Sequence, residues 1–140
     1  MFLTRSFFRS ATVAAAAAAL SGCQLLPWYD SGPHKALPMP AFATPSDGGA
    51  YLVVMRDAGN ICALAPVRIT VDGQTAGVLN RGERLDLYVP AGDHVVGAET
   101  NEVCPQRSVQ AHTHLNAAQT QAYVVSFRFY ADLKLEPTAI

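Results

Sequence analysis

The chain has little of what most enzyme active sites are built from. It has three cysteines and no CxxC pair, so neither a dithiol redox motif nor a paired-cysteine zinc site is written in it. It has no G-x-S-x-G elbow, no phosphate loop and no dinucleotide fingerprint. Only 15% of its residues are charged, with a formal net charge of −1. That balance excludes the basic footprint of a nucleic-acid binder. Beyond the amino terminus no window shows a sustained 3.6-residue apolar stripe, which excludes a helical bundle. The carboxylates Asp57, Asp72, Asp86, Asp93, Glu99 and Glu102 fall mainly in turns or on polar strand faces, without the convergence that acid/base work needs. Ser126 reads as a strand-face residue. No enzymatic activity is expected.

The amino terminus is also poor in acid: none precedes Asp30. Arg5 and Arg9 form a basic start, and Ser10 to Leu20 is a short apolar run rich in alanine. This is the pattern of an export signal. The run is about half the ~20 residues that cross a bilayer as a helix. It closes on Leu20-Ser21-Gly22-Cys23, which resembles the lipobox of bacterial lipoproteins. The resemblance implies diacylation of the Cys23 thiol, cleavage before Cys23 and acylation of the new amino terminus. Several acyl chains give stable anchoring where one would be marginal. The competing reading is an ordinary signal peptide that contains a cysteine. Residue 24 is Gln rather than Asp, which under the enteric sorting pattern favours the outer membrane. The expected location is the cell envelope, facing the periplasm.

Removing 22 residues from 140 leaves a mature chain of 118, and loss of Arg5 and Arg9 leaves eight cations against eleven acids, a net charge of −3. With Cys23 assigned to lipid, Cys62 and Cys104 form an even pair in an oxidising compartment. A disulfide across their 42-position separation would contribute roughly 4 kcal/mol by loop-closure entropy. The alternative is a redox or thiol-metal site, which no flanking basic residue supports.

Residues 23–49 read as a lipidated cysteine followed by a proline-rich tether, since five of the nine prolines lie at 27, 33, 38, 40 and 45. Trp28 and Tyr29 suit either the headgroup level of a membrane or docking on the domain. From Ala50 the texture becomes short alternating runs divided by Gly, Pro, Asn and Asp. Val67, Ile69 and Val71 alternate with polar residues before Asp72-Gly73, a strong hairpin signal. "NRGE" (80–83) and "PAGD" (90–93) are further turns, with Leu85, Leu87 and Val89 alternating between them. "AYLVVM" (50–55) is apolar on both faces, as a central strand is. Ser108 to Leu115 alternates again, and Tyr123, Val125, Phe127 and Phe129 share an apolar face. The expectation is an all-β fold, a small antiparallel sandwich of about seven strands over 50–136, with a tail at 137–140.

"APVRITVDGQTAGVLNRGERLDLYVPAGDHVV" (65–96) resembles PEGA-type domains and the small uncharacterised β-domains of Gram-negative envelope lipoproteins. The matching residues are Asp72, Gly73, Gly77, Leu79, Pro90, Gly92 and His94. The resemblance implies a β-sandwich in an envelope protein, with its glycines and proline setting turns. It supplies no activity to transfer.

"AHTHL" is the one constellation with metal-ligand chemistry. His112 and His114 are two apart in a strand and share a face, where neutral imidazoles suit zinc or copper. His94 is the candidate third ligand. The plain alternative is a solvated strand face, continued by Gln110. His34 lies in the tether and adds nothing to this set. No other cofactor is expected beyond the covalent lipid. The function expected is therefore a non-catalytic binding or scaffold module, engaging an envelope protein or the cell wall; the alternative is a metal-binding envelope lipoprotein using His112 and His114, and the third reading is a small enzyme of unknown type. Arg56, Arg68, Arg84, Tyr88, Arg128 and Tyr130 are the candidate contact residues, because Arg and Tyr are enriched at interfaces.

Overall fold

A computed structural model describes residues 34–101 and 104–140. The signal, Cys23, Trp28 and Tyr29 therefore lie outside the described residues, as does Glu102. The fold is all-β. Nine strands occur among the described residues: β1 His34–Ala36, β2 Ala50–Arg56, β3 Val67–Val71, β4 Gln74–Leu79, β5 Glu83–Val89, β6 Gly92–Thr100, β7 Ser108–Leu115, β8 Thr120–Arg128 and β9 Asp132–Thr138. They form a five-stranded sheet in the order β1-β5-β2-β8-β9 and a four-stranded sheet in the order β4-β3-β6-β7.

Two strands exceed the expected seven. β1 falls in the segment read as tether, and β9 follows a turn where the sequence suggests β8 running on. The described part of that segment is tied to the domain: His34–Ala36 pairs with β5, Met39 donates its N–H to the Ala76 carbonyl at 2.8 Å, and Phe42 is buried in the core. β9 is an edge strand, where the missing N–H of Pro137 is tolerated. Most pairs are antiparallel, but β1–β5 and β2–β8 are parallel.

Alternation sets the interior. Leu52 and Val54 of β2, Leu85 and Leu87 of β5, and Val125 and Phe127 of β8 meet Val67, Ile69, Val96, Ala98 and Leu115 of the other sheet in one apolar core. Val53 is also fully buried, so β2 is covered on both faces, as its uniform sequence predicts. The Asp72-Gly73 turn joins β3 to β4, with both residues at positive φ, 51° and 79°. Gly77 is not a turn residue. It lies inside β4, where an added Cβ would stand 2.8 Å from the Leu85 methyls of the facing sheet.

Register divides the molecule into two ends. His34 pairs with Glu83, Met55 with Arg84 and Arg56 with Val125. Val67 pairs with Leu79 and Thr100, and Glu99 with Ser108. One end therefore gathers the start of β1, loop 57–66, turn 80–82, residues 104–107 and tip 129–131. The opposite end gathers the turns at 72–73, 90–92 and 116–119.

Candidate functional site

At the opposite end from loop 57–66, Asp72, Asp93, His94, Val95, His112, Thr113 and His114 line an open groove of about 370 Å³. Its best-defined member is His94. Strand β6 puts residues 94, 96 and 98 toward the core, and His94 is only 9% exposed. Its Nδ1 is 2.7 Å from Asp72 Oδ2 and its Nε2 is 2.6 Å from the Pro90 carbonyl oxygen. A carboxylate and a carbonyl can only accept. Both ring nitrogens must therefore donate, and the geometry fits an imidazolium. Burial opposes that charge, but the bonds to Asp72 and Pro90 outweigh it and raise the His94 pKa above its ordinary 6.5.

Asp72 completes a clasp. Its Oδ1 accepts the Val95 N–H at 2.8 Å, and its own N–H donates to the Val95 carbonyl at 2.8 Å. Burial would raise its pKa; the bonds from Val95 and His94 prevail and hold it below the usual carboxylate value. The clasp joins the β3–β4 turn to the turn before β6. An Asp–His pair with a free Nε2 supplies two of the three members of a nucleophilic triad. Here Pro90 occupies Nε2, and the ring serves as a strut between two turns.

His112 and His114 lie on the outward face of β7, as alternation predicts, and both are exposed. His114 Nδ1 is 2.7 Å from Asp93 Oδ1 across the β6–β7 ladder. His94 does not join them. It pairs with Thr113, so it belongs to the other face, and both of its nitrogens are engaged. Among the described residues, no group of three His, Cys, Asp or Glu side chains is placed to hold a metal ion.

Cys62 and Cys104 lie at disulfide distance, with Cα atoms 5.7 Å apart, and link loop 57–66 to the segment 104–107 before β7. Beneath this link lies Arg56, whose side chain the sequence suggests as a contact residue. It is 4% exposed. The guanidinium donates to the carbonyls of Ala65, Leu79 and Cys62, and lies over the Phe127 ring. Arg84 and Tyr88 are half-buried on the outer face of the five-stranded sheet. There Arg84 bonds Asp86 at 2.6 Å, and the Tyr88 ring packs on Tyr51 at 5.3 Å. Arg68 pairs with Glu99, and Arg128 with Glu136 at 3.1 Å. Of the six suggested contact residues, Tyr130 is the most open, at 97% exposure. Phe129, expected inside with Phe127, is 85% exposed, because β8 ends at Arg128 and the chain turns.

A second open groove, of about 660 Å³, runs along the four-stranded sheet past Arg68, Glu99 and Arg107. No helix among the described residues is long and apolar enough to cross a membrane. No protein-family model matches the chain, and no curated protein matches it.

Proposed function

We propose that the protein is a lipid-anchored lipoprotein of the cell envelope, attached through Cys23 and facing the periplasm from the outer membrane. Its β module is a small sandwich of PEGA-like kind that acts as a non-catalytic binding or scaffold unit, engaging another envelope protein or the cell wall. The observation that carries this reading is Leu20-Ser21-Gly22-Cys23 at the close of an export signal. The Cys62–Cys104 pair supports it, since such bridges persist in oxidising compartments. So does the use made of the titratable groups: Asp72 and His94 spend their hydrogen bonds on bracing turns.

The test is Cys23→Ser with fractionation, beside in-cell crosslinking of the tagged protein. Release of the variant into the soluble periplasm, and loss of a partner captured by the anchored form, is the expected result. Continued membrane residence of the variant contradicts the anchor. Capture of nothing specific by the anchored form contradicts the scaffold role.

A second reading, metal binding by His112 and His114, draws on their shared face and on Asp93 beside His114. Asp93 would have to leave His114 Nδ1 to serve as a third ligand. Zinc titration with His112→Ala as control tests it, and binding weaker than about 100 μM rejects it.

A further inference from the structure

The end of the molecule where β1 begins also carries exposed apolar side chains on two loops. Leu64 is 88% exposed and Ile61 39% exposed on loop 57–66; Phe129 and Tyr130 are 85% and 97% exposed on the tip between β8 and β9. The two loops leave neighbouring strands at the same end, because β2 and β8 are parallel and in register, with Arg56 opposite Val125 and the Asp57 N–H bonded to the Val125 carbonyl at 3.0 Å. Large aromatic and aliphatic side chains held in water at one end of a small domain mark a contact surface.

The crown is built to hold this shape. The Cys62–Cys104 bridge fixes loop 57–66 from one side, and Arg56 binds its carbonyls at Cys62 and Ala65 from below. At the other tip, Tyr130 and Ala131 both take left-handed backbone, with φ of 62° and 58°. That conformation favours glycine or asparagine, and a bulky aromatic there is an outlier. The fold thus tolerates strain to present an aromatic ring to the outside, a pattern found at functional positions.

We infer that this crown, formed by Ile61, Leu64, Phe129 and Tyr130, is a membrane-contact surface that rests on the bilayer to which the chain is anchored. The inference rests on the reading of Cys23 as lipidated. Its occupant follows from where the chain joins the fold. His34 opens β1 at the crown end, opposite Glu83. Eleven residue steps separate it from Cys23, which limits their separation to about 40 Å even at full extension. An anchored module is therefore tied to the bilayer by the same end that carries the apolar side chains. Aromatic rings are favoured at the headgroup level.

The charges flanking tip 129–131 are matched, and Arg81 on turn 80–82 donates to the Ala58 carbonyl. Arg128 pairs with Glu136 and Lys134 with Asp132, at 3.1 and 2.8 Å. The contact is accordingly apolar in origin and does not depend on anionic lipid. The module then lies against the membrane on its crown, and the end carrying His94, His112 and His114 points away from it.

The test uses the full chain, exported and processed in a bacterial host, with Trp28→Phe removing the single natural tryptophan. A reporter is placed by Phe129→Trp, with Leu64→Trp as a second crown position and Ala117→Trp at the far end as the reference. The protein is reconstituted into phosphatidylethanolamine vesicles containing phosphatidylcholine brominated near the headgroup, with and without phosphatidylglycerol. Both crown reporters should lose fluorescence to the brominated lipid, as rings at the headgroup level do, and the far-end reporter should lose none. The quenching should be the same with and without anionic lipid and should survive high salt. Intact mass read on the same sample separates the two levels of the argument. Acylated protein whose crown reporters are unquenched overturns the membrane contact and leaves the anchor standing. Absence of acyl mass removes the anchor and the inference with it. Quenching that appears only with phosphatidylglycerol overturns the apolar basis of the contact.

Discussion

The guanidinium of Arg56 donates to the carbonyl oxygen of Cys62 at 2.7 Å, and so ties the end of β2 to the loop that carries the disulfide. Its other acceptors are the carbonyls of Ala65 and Leu79, and among the described residues no carboxylate bonds it. Burial pushes its pKa below the usual arginine value, but an arginine keeps its charge in proteins. Arg56→Leu leaves three carbonyl acceptors without their donor and should destabilise the domain by about 2–4 kcal/mol. Arg56→Lys should recover only part of this, because one ammonium cannot reproduce the planar fork. Chemical denaturation of the three proteins checks the order; a lysine variant as stable as the parent would show that charge alone is what the loop requires.

Cys62 and Cys104 constrain the same end from above. Replacing both by alanine should cost roughly 4 kcal/mol if loop closure in the unfolded chain governs the effect. The loss should appear as a lower denaturation midpoint, and a reducing agent should lower the parent to about the level of the variant. A parent indifferent to reduction would mean that the bridge contributes little to stability.

The His94 clasp gives stability a pH dependence of known sign. Its folded pKa is raised, so its contribution is complete below the unfolded value near 6.5 and is lost as pH rises through the folded value. Asp72 has a depressed pKa, so its contribution is present above the ordinary carboxylate value and is lost as pH falls through the depressed one. The clasp is strongest in the mildly acidic range between them. His94→Gln should remove the decline on the alkaline side and lower stability at pH 5.5 by roughly 1 kcal/mol, a figure reduced because Asp72 is half exposed. Thermal melts at pH 5.5 and 8.5 decide it: parallel shifts of parent and variant between the two pH values would remove His94 as the titrating group.

What the sequence makes legible here is what local patterns encode. The alternation at Val67, Ile69 and Val71, the Asp72-Gly73 turn after it and the doubly apolar β2 all correspond to observed elements. So does the outward face shared by His112 and His114, because a period of two leaves no other choice within a strand. Relations between distant segments are not written this way. Nothing local to His34–Ala36 announces a parallel partner at Glu83–Leu85. Arg56 ends a strand, where an arginine reads as solvated; it is buried because the carbonyls of loop 57–66 turn inward to meet it. His94 looks like a third ligand until the register places it opposite Thr113 and binds both ring nitrogens to the backbone and a turn aspartate. Phe129 continues an apolar alternation that the chain itself abandons at Arg128.

Gly77 shows how a residue can be noticed for one reason and needed for another. In the sequence it belongs to a run of turn-forming residues. In the fold it lets β4 approach β5 across the two sheets, where Leu85 is fully buried and has its methyls 2.8 Å from the place a Cβ would occupy. Gly77→Ala therefore overpacks the core. It should cost about 1–2 kcal/mol, since buried neighbours must leave their rotamers or the sheets must part. Leu85→Val on its own should cost about 1 kcal/mol by removing buried apolar volume. If the clash with Leu85 is the cause, the double variant should be less destabilised than the sum of the two, with a coupling energy of at least about 0.5 kcal/mol. Strict additivity would place the strain instead at the Leu37 carbonyl, 3.4 Å from the same position, and would make the segment that precedes β2 the element that requires glycine.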